Sequence, residues 1–359
     1  MIYGVILAGG RGERFWPLSR QENPKQLLRL TSDKTMMLET IDRLEGFIPK
    51  ERVIVVTGKH LREKILAAVP GLTDENLLLE PEGRNTCLAI GLAAVHLKRQ
   101  DPNAVMVVLS SDHLIFPTDK LISLLRAGAE QAAKGKHLIT IGVVPTRAET
   151  AYGYIELGEE FAKNDGIDFY RVKQFKEKPS PTRAQEYYLD RRHLWNSGMF
   201  IWRADAIMES IEKFIPAVYD CVKAYEQKIG QADELQARER LYCDSVSISI
   251  DFAVLENAAN VLTMKGEIKW DDVGSWLALG RIRLRDRDNN VSMGDVIVDG
   301  SYENIIVNND SGVIVAYGVS DLVIVRTGDI VMVAHKTRVG DIKDFLVKLA
   351  ADDRYEKYL

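Results

Sequence analysis

Glycines, cations and carboxylates recur at three places in this chain, at spacings that suit phosphate chemistry. The first is Leu7-Ala8-Gly9-Gly10-Arg11-Gly12-Glu13-Arg14, followed by Pro24-Lys25-Gln26. A glycine-rich turn after an apolar run lets main-chain N–H groups approach phosphate oxygens. Arg14 and Lys25 add positive charge for a polyphosphate. Two familiar nucleotide loops do not match: Phe15 stands where G-x-G-x-x-G needs its last glycine, and Lys25 lies between Pro24 and Gln26, not in Gly-Lys-Ser/Thr. A strand-terminating turn with solvated basic residues is the alternative reading.

The second place is Asp112 after Ser110-Ser111, with Asp271-Asp272 far downstream. Two carboxylates at strand ends hold a Mg²⁺ that also binds substrate phosphates; elsewhere such residues cap or face solvent. His113 reads as a local cap, because a phosphate nucleophile is already deprotonated. The third is Gly153 within Ala151-Tyr152-Gly153-Tyr154, then Glu177-Lys178-Pro179 and Trp195-Asn196-Ser197-Gly198. Glu and Asn hydrogen-bond hydroxyls and Lys meets a phosphate, so the set suits a polyhydroxylated ligand. Each piece alone also reads as an ordinary turn. Trp16, Trp195, Trp202, Trp270 and Trp276 read as core or pocket packing.

These residues need elements to position them. Ile2–Ala8, Arg52–Thr57, Leu77–Leu79, Ala104–Leu109 and His137–Val143 are short apolar runs, the pattern of strands buried on both faces. Helical patterns fall between them at His60–Val69, Thr86–Gln100 and Lys120–Lys134. Alternation of this kind predicts a doubly wound α/β sheet, whose ligands bind beyond the carboxyl ends of the strands. Gly9-Gly10 and Asp112 follow such ends and are expected to meet in one crevice. After about residue 145 the pattern turns to short strands (Phe175–Glu177, Met199–Trp202) and helices (Asp205–Lys213, Ala217–Lys228), read as a second lobe on the same sheet. A helix is predicted from Gly274 to about Arg285. From Val291, apolar triplets recur every eight to ten residues, predicting a sandwich or a short β-helix, closed by a helix over Asp341–Ala350. The main boundary is placed in the polar run Asp286–Asn290, giving a catalytic domain over 1–288 and a C-terminal domain over 289–359.

Composition narrows the class. The chain has 359 residues, 47 Lys+Arg against 52 Asp+Glu, and a net charge of -5, a balance unlike that of a nucleic-acid-coating protein. Cys87, Cys221 and Cys243 are too few and too scattered for a disulfide framework or a CxxC zinc site and read as buried or partly buried free thiols. No apolar run reaches the roughly 18 residues that span a bilayer, and no secretory leader is legible. A cytoplasmic protein that binds neither nucleic acid nor membrane is expected.

In chain order, GGRGERFWPLSR…PKQ, EPEGRNT, SSDH, YGYIE, FKEKP, WNSGMF and WDDVGSW together resemble the mannose-1-phosphate guanylyltransferases (GDP-mannose pyrophosphorylases) of the sugar-nucleotidyltransferase superfamily. FWPLSR…PKQ with EGRNT points to the guanylyl branch. The resemblance implies a Rossmann-like mixed sheet, a small C-terminal left-handed β-helix, GTP and mannose 1-phosphate as substrates, Mg²⁺ as cofactor, and a homodimer. It places Leu7, Ala8, Gly9, Gly10 and Gly12 in the loop that binds the triphosphate, with Arg14 and Lys25 stabilising the transition state. Glu80, Arg84 and Asn85 match the nucleotide-recognition segment, and Asp112 and Asp272 the metal ligands. Gly153, Glu177, Lys178 and Asn196 match the sugar-phosphate site. Departures occur at Arg11, at Glu13, which is expected to point away from a triphosphate, and at Cys87-Leu88. The fused isomerase of longer relatives is not expected here. Another NTP or sugar 1-phosphate, or a non-catalytic sugar-nucleotide sensor, stays open, because few pocket contacts set base and sugar choice.

Overall fold

Ile2–Ala8 forms strand β1 and sets the register of the main sheet. The computed structural model describes residues 1–10 and 12–359; Arg11 lies outside the described residues. The chain divides into two compact units, the first holding Met1–Gly9, Thr40–Ser111 and Ile115–Trp270, the second Gly10–Glu39, Asp112–Leu114 and Asp271–Leu359.

The first unit is built on one nine-stranded mixed sheet. After β1 come β2 (Val53–Gly58), β3 (Leu77–Glu80), β4 (Val105–Ser110), the three-residue β5 (Leu114–Phe116), β6 (Leu138–Val143), β7 (Tyr154–Asn164), β8 (Ile167–Lys176), β9 (His193–Arg203) and β10 (Val261–Gly266). The sheet order is β3-β2-β1-β4-β9-β6-β10-β8-β7. The first four strands are parallel, and Leu7 stands opposite Ser110. Ser111 N donates to Leu7 O at 3.1 Å, so the carboxyl ends of β1 and β4 lie side by side. The expectation that the later strands join the same sheet holds, since β9 runs antiparallel between β4 and β6. The helix Asn85–Gln100 covers the sheet with an almost wholly apolar face, including Leu88, Ile90, Leu92 and Val95. Trp202 and Phe200 extend that core.

Several elements differ from the sequence reading. Phe175–Glu177 is the tail of the ten-residue β8, which pairs with the eleven-residue β7, and Glu177 lies past its end. This ribbon carries charges on both faces, so it shows no clean period of two. The helix Glu234–Asp244 buries only Leu241 and Tyr242, too few apolar positions to announce a helix. The predicted helix to Arg285 stops at Ile282. Cys87 is buried and Cys221 half-buried as expected, but Cys243 is exposed.

The second unit carries the repeats. After β11 (Lys269–Asp271), strands β12 (Val291–Met293), β13 (Val296–Asp299), β14 (Ile305–Asn308), β15 (Ile314–Tyr317), β16 (Leu322–Thr327) and β17 (Ile330–His335) follow in quick succession. β12, β14 and β16 stack in parallel, as do β13 and β15, so alternate strands form the walls of a β-helix and not a sandwich. Val291, Ile305, Val307, Val323 and Val325 share a core with Phe15 and Trp276 of the same unit. The buried Asn304 amide donates to Asn290 Oδ1 (2.9 Å), satisfying polar groups where the coil turns. All five tryptophans are buried, as the packing reading expected. Among the described residues, no helix is long and apolar enough to cross a membrane.

Candidate active site

Gly10, Gly12 and both candidate metal ligands fall in the second unit, and Lys25 ties Asp112 and Asp272 together. Its side chain is 7% exposed; Nζ donates to Asp112 Oδ2 at 2.8 Å and to the main-chain oxygen of Asp272 at 2.6 Å. Gly12 makes this approach possible. Its φ is +64°, and a Cβ there would lie 2.4 Å from Lys25 Cβ, so both conformation and space demand glycine. Arg14 is exposed and donates to Gly274 O at 3.4 Å. Glu13 pairs with Lys343 at 3.4 Å, which turns its charge aside as expected.

The neighbouring carboxylates Asp271 and Asp272 have different partners. Asp271 is buried, receives both Nε and Nη2 of Arg281 (2.8 and 3.0 Å) and caps Val273 N at 2.8 Å. Asp272 Oδ1 accepts Gly274 N at 3.1 Å, and a Cβ on Gly274 would meet its Oδ2 at 2.5 Å. Val273 between them is a buried β-branched residue at φ +47°, a strained conformation of the kind that collects at functional turns. Burial opposes charge on Asp112, but the Lys25 ammonium and then His113 outweigh it and hold the carboxyl below its usual range. Among the described residues, no three Asp, Glu, His or Cys gather at one point. Two carboxylates with phosphate oxygens and water to complete the set would suit a hard divalent cation better than an all-protein cage.

In the first unit, Leu7 and Ala8 are sheet residues whose carbonyls accept from Ser111 N and Thr57 Oγ1. Gly9 lies against the Glu80 carboxylate, whose Oε2 is 3.2 Å from where a Cβ would stand. Glu80, at the end of β3, is 4% exposed and takes the Tyr242 hydroxyl on Oε1 at 2.9 Å. Burial pushes its carboxyl up to about 7, against that hydrogen bond. Arg84 pairs with Glu82 at 2.7 Å, and Asn85, at φ +65°, caps Thr86 N at 2.9 Å. These two side chains are thus held by their own loop.

Gly153, Glu177, Lys178 and Asn196 do converge, also in the first unit. Gly153 O accepts Asn196 N at 2.8 Å, and a Cβ on Gly153 would lie 2.3 Å from Glu177 Oε2. Lys178 Nζ holds Glu177 Oε1 at 2.6 Å, while Oε2 is buried without a hydrogen-bond partner. Tyr152, Trp195 and Trp270 pack edge-on around the same corner, with Arg147 stacked over Trp195 at 5.0 Å.

Comparison with known proteins gives this arrangement a family. The nucleotidyl transferase family model matches residues 3–289, and the MannoseP isomerase/GMP-like beta-helix domain matches residues 294–349. A mannose-1-phosphate guanylyltransferase of Escherichia coli K12 is 39% identical over 99% of this chain and 75% of its own length. The chain belongs to the mannose-1-phosphate guanylyltransferases. A Salmonella typhimurium member of the family is 38% identical over 100% of this chain and 75% of its own. A crystal structure described as mannose-1-phosphate geranyltransferase from Thermus thermophilus superposes with a TM-score of 0.86, at 32% identity, covering 97% of this chain and 99% of that one. Members of the nucleotidyltransferase family generally work with a divalent metal.

Set against this guanylyltransferase family, the sequence reading missed Tyr242, Thr140 and Asp251, which buttress Glu80 and Asn196. Asp251 alone left a signal, as an acid inside the apolar run Ile248-Ser249-Ile250-Asp251-Phe252-Ala253. The Gly153 geometry carries a prediction. Gly153→Ala displaces the Glu177 carboxylate and raises KM for mannose 1-phosphate about tenfold or more, the size of a lost hydrogen bond to a charged group. Steady-state kinetics with GTP saturating checks it.

Proposed function

We propose that the chain transfers GMP from GTP to α-D-mannose 1-phosphate, giving GDP-mannose and pyrophosphate. The observation that supports this most is the Lys25–Asp112–Asp272 cluster, in a chain matched along almost all its length by guanylyltransferases. A phosphate oxygen of mannose 1-phosphate attacks the α-phosphorus in line; a new O–P bond forms, the bond to the β-phosphate breaks, and pyrophosphate takes the electron pair. No protein nucleophile is required, so catalysis is positioning plus charge stabilisation. Lys25 has three N–H donors, of which two are engaged by Asp112 and Asp272, leaving the third for a phosphate oxygen. Arg14 offers a guanidinium to the leaving pyrophosphate. A divalent cation, Mg²⁺ in this reading, is held by Asp112 and Asp272 and supplies neutralisation of phosphate charge.

Glu80 is the guanine reader in this proposal. Guanine presents two N–H donors on one edge, and a carboxylate accepts both. Because the Glu80 carboxyl rises to about 7, it is protonated below that pH and then accepts one fewer hydrogen bond. KM for GTP is expected to rise as pH falls from 8 to 6. Glu80→Gln weakens GTP binding about 10-fold or more at pH 8, and the variant-to-wild-type KM ratio, which cancels the ionisation of GTP itself, shrinks toward one as pH falls to 6; measuring KM for GTP across that range tests both points. Arg84, Asn85 and the loop Gly9, Gly10, Gly12 complete the nucleotide site. The sugar phosphate is assigned to Gly153, Glu177, Lys178 and Asn196.

The catalytic domain is taken as 1–288 and the β-helix domain as 289–359. We propose a cytoplasmic homodimer; the exposed Ile297 and Val315, facing each other across β13 and β15, favour self-association. Light scattering tests it. The test of the reaction is pyrophosphate release across a matrix of NTPs and sugar 1-phosphates with Mg²⁺. GTP with mannose 1-phosphate should dominate. A dominant signal elsewhere keeps the chemistry and overturns the specificity; silence in folded protein overturns both.

A further inference from the structure

Beside Glu177 stands a second carboxyl, that of Asp251. Asp251 opens the five-residue π-helix Asp251–Leu255, a distortion that is frequent at functional sites. Its Oδ1 accepts Asn196 Nδ2 at 2.9 Å. The Asn196 amide is oriented by Gly198 N, which donates to its Oδ1 at 3.2 Å. Glu177, 11% exposed, keeps Oε2 buried and unpartnered in the hollow that Gly153 leaves. Two carboxyls thus share one corner, and one of their oxygens, Glu177 Oε2, has no donor. An Asn at 251 would satisfy Asn196 equally well. A polyol supplies what is missing, since each hydroxyl donates one hydrogen bond.

We propose that Asp251 is a specificity residue for the hexose, its carboxylate accepting one sugar hydroxyl while Glu177 Oε2 accepts another. This rests on the assignment of the sugar phosphate to Gly153, Glu177, Lys178 and Asn196. Burial, then the Glu177 charge, pushes the Asp251 carboxyl up to about 7, with Lys178 opposing. Charged groups at this corner also include Glu256, whose Oε1 accepts Glu177 N at 3.2 Å, and Arg147, stacked over Trp195. A carboxyl raised above its unfolded value of roughly 4 subtracts stability progressively as pH climbs from there to about 7. Such a cost is characteristic of functional sites.

The test is Asp251→Asn in the full chain. KM for mannose 1-phosphate should rise about 10- to 50-fold, as for a lost charged hydrogen bond, with KM for GTP unchanged. The variant-to-wild-type KM ratio should shrink toward one as pH falls from 8 to 6; taking the ratio cancels the ionisation of the substrate itself. One monodeoxy analogue of mannose 1-phosphate should lose as much with wild type as the variant loses with the parent sugar, and lose nothing more with the variant. At pH 8 the variant should melt no lower than wild type. A KM within twofold of wild type, or a pH-independent ratio, would overturn the proposal. Gly153→Ala run in parallel separates the two levels: if it raises KM while Asp251→Asn does not, only the Asp251 role falls; if neither does, the sugar assignment falls as well.

Discussion

Lys25→Ala should lower kcat about 100- to 1,000-fold, the loss typical of one preorganised donor in a water-poor site, in a protein that still folds. The Lys25 ammonium is nearly buried and already shared between Asp112 and Asp272, so it costs little reorganisation at the moment of reaction. Removing it also leaves Asp112 without its cation. Asp112 is 29% exposed, so water recovers part of that loss and the stability cost stays near 1–2 kcal/mol. Turnover therefore falls far more than melting temperature does. Lys25→Arg should not rescue, because a planar fork replaces the compact ammonium held between Asp112 and the Asp272 main-chain oxygen. Single-turnover rates with calorimetric melting check both halves. Folded Lys25→Ala with near-wild-type kcat would remove the residue from the mechanism.

Asp272→Asn should cost a comparable factor in kcat, while Asp271→Asn should act on stability. The two neighbours differ in partners. Asp271 is buried and holds Arg281 through both its oxygens; neutralising it strips a partly buried ion pair and lowers stability by about 1–3 kcal/mol. Asp272→Asn keeps an oxygen for Gly274 N and changes chiefly the charge offered to a cation. Its Mg²⁺ requirement should move up about tenfold or more, since ligand charge sets affinity for hard cations. Titrating Mg²⁺ against rate, with melting curves for both variants, checks the contrast. A normal Mg²⁺ curve for Asp272→Asn would assign the metal elsewhere.

Much of this was legible in residue order alone. The buried parallel strands announced themselves because residues covered on both faces must be apolar, and β1 lies as expected from Ile2 to Ala8. The Gly12 loop, Asp112 and the Gly153 turn left local marks, glycine at a close approach and charge at a strand end, whereas Asn196, read as part of a loop, lies inside the strand His193–Arg203. The β7–β8 ribbon, the helix Glu234–Asp244 and the π-helix were not, because they are amphipathic weakly or not at all.

Residue types and spacing, then, determined the fold class, the phosphate loop and the pool of candidate carboxylates. Only the tertiary structure shows which partner each of them has. It gave Asp271 to Arg281, set Asp272 beside Lys25, turned Glu13 to Lys343 and brought Asp251 against Asn196 across 55 positions of sequence. The reason is physical. What a carboxylate does depends on which donor and which charge stand within about 3 Å of it, and chain order does not set distance between residues so far apart.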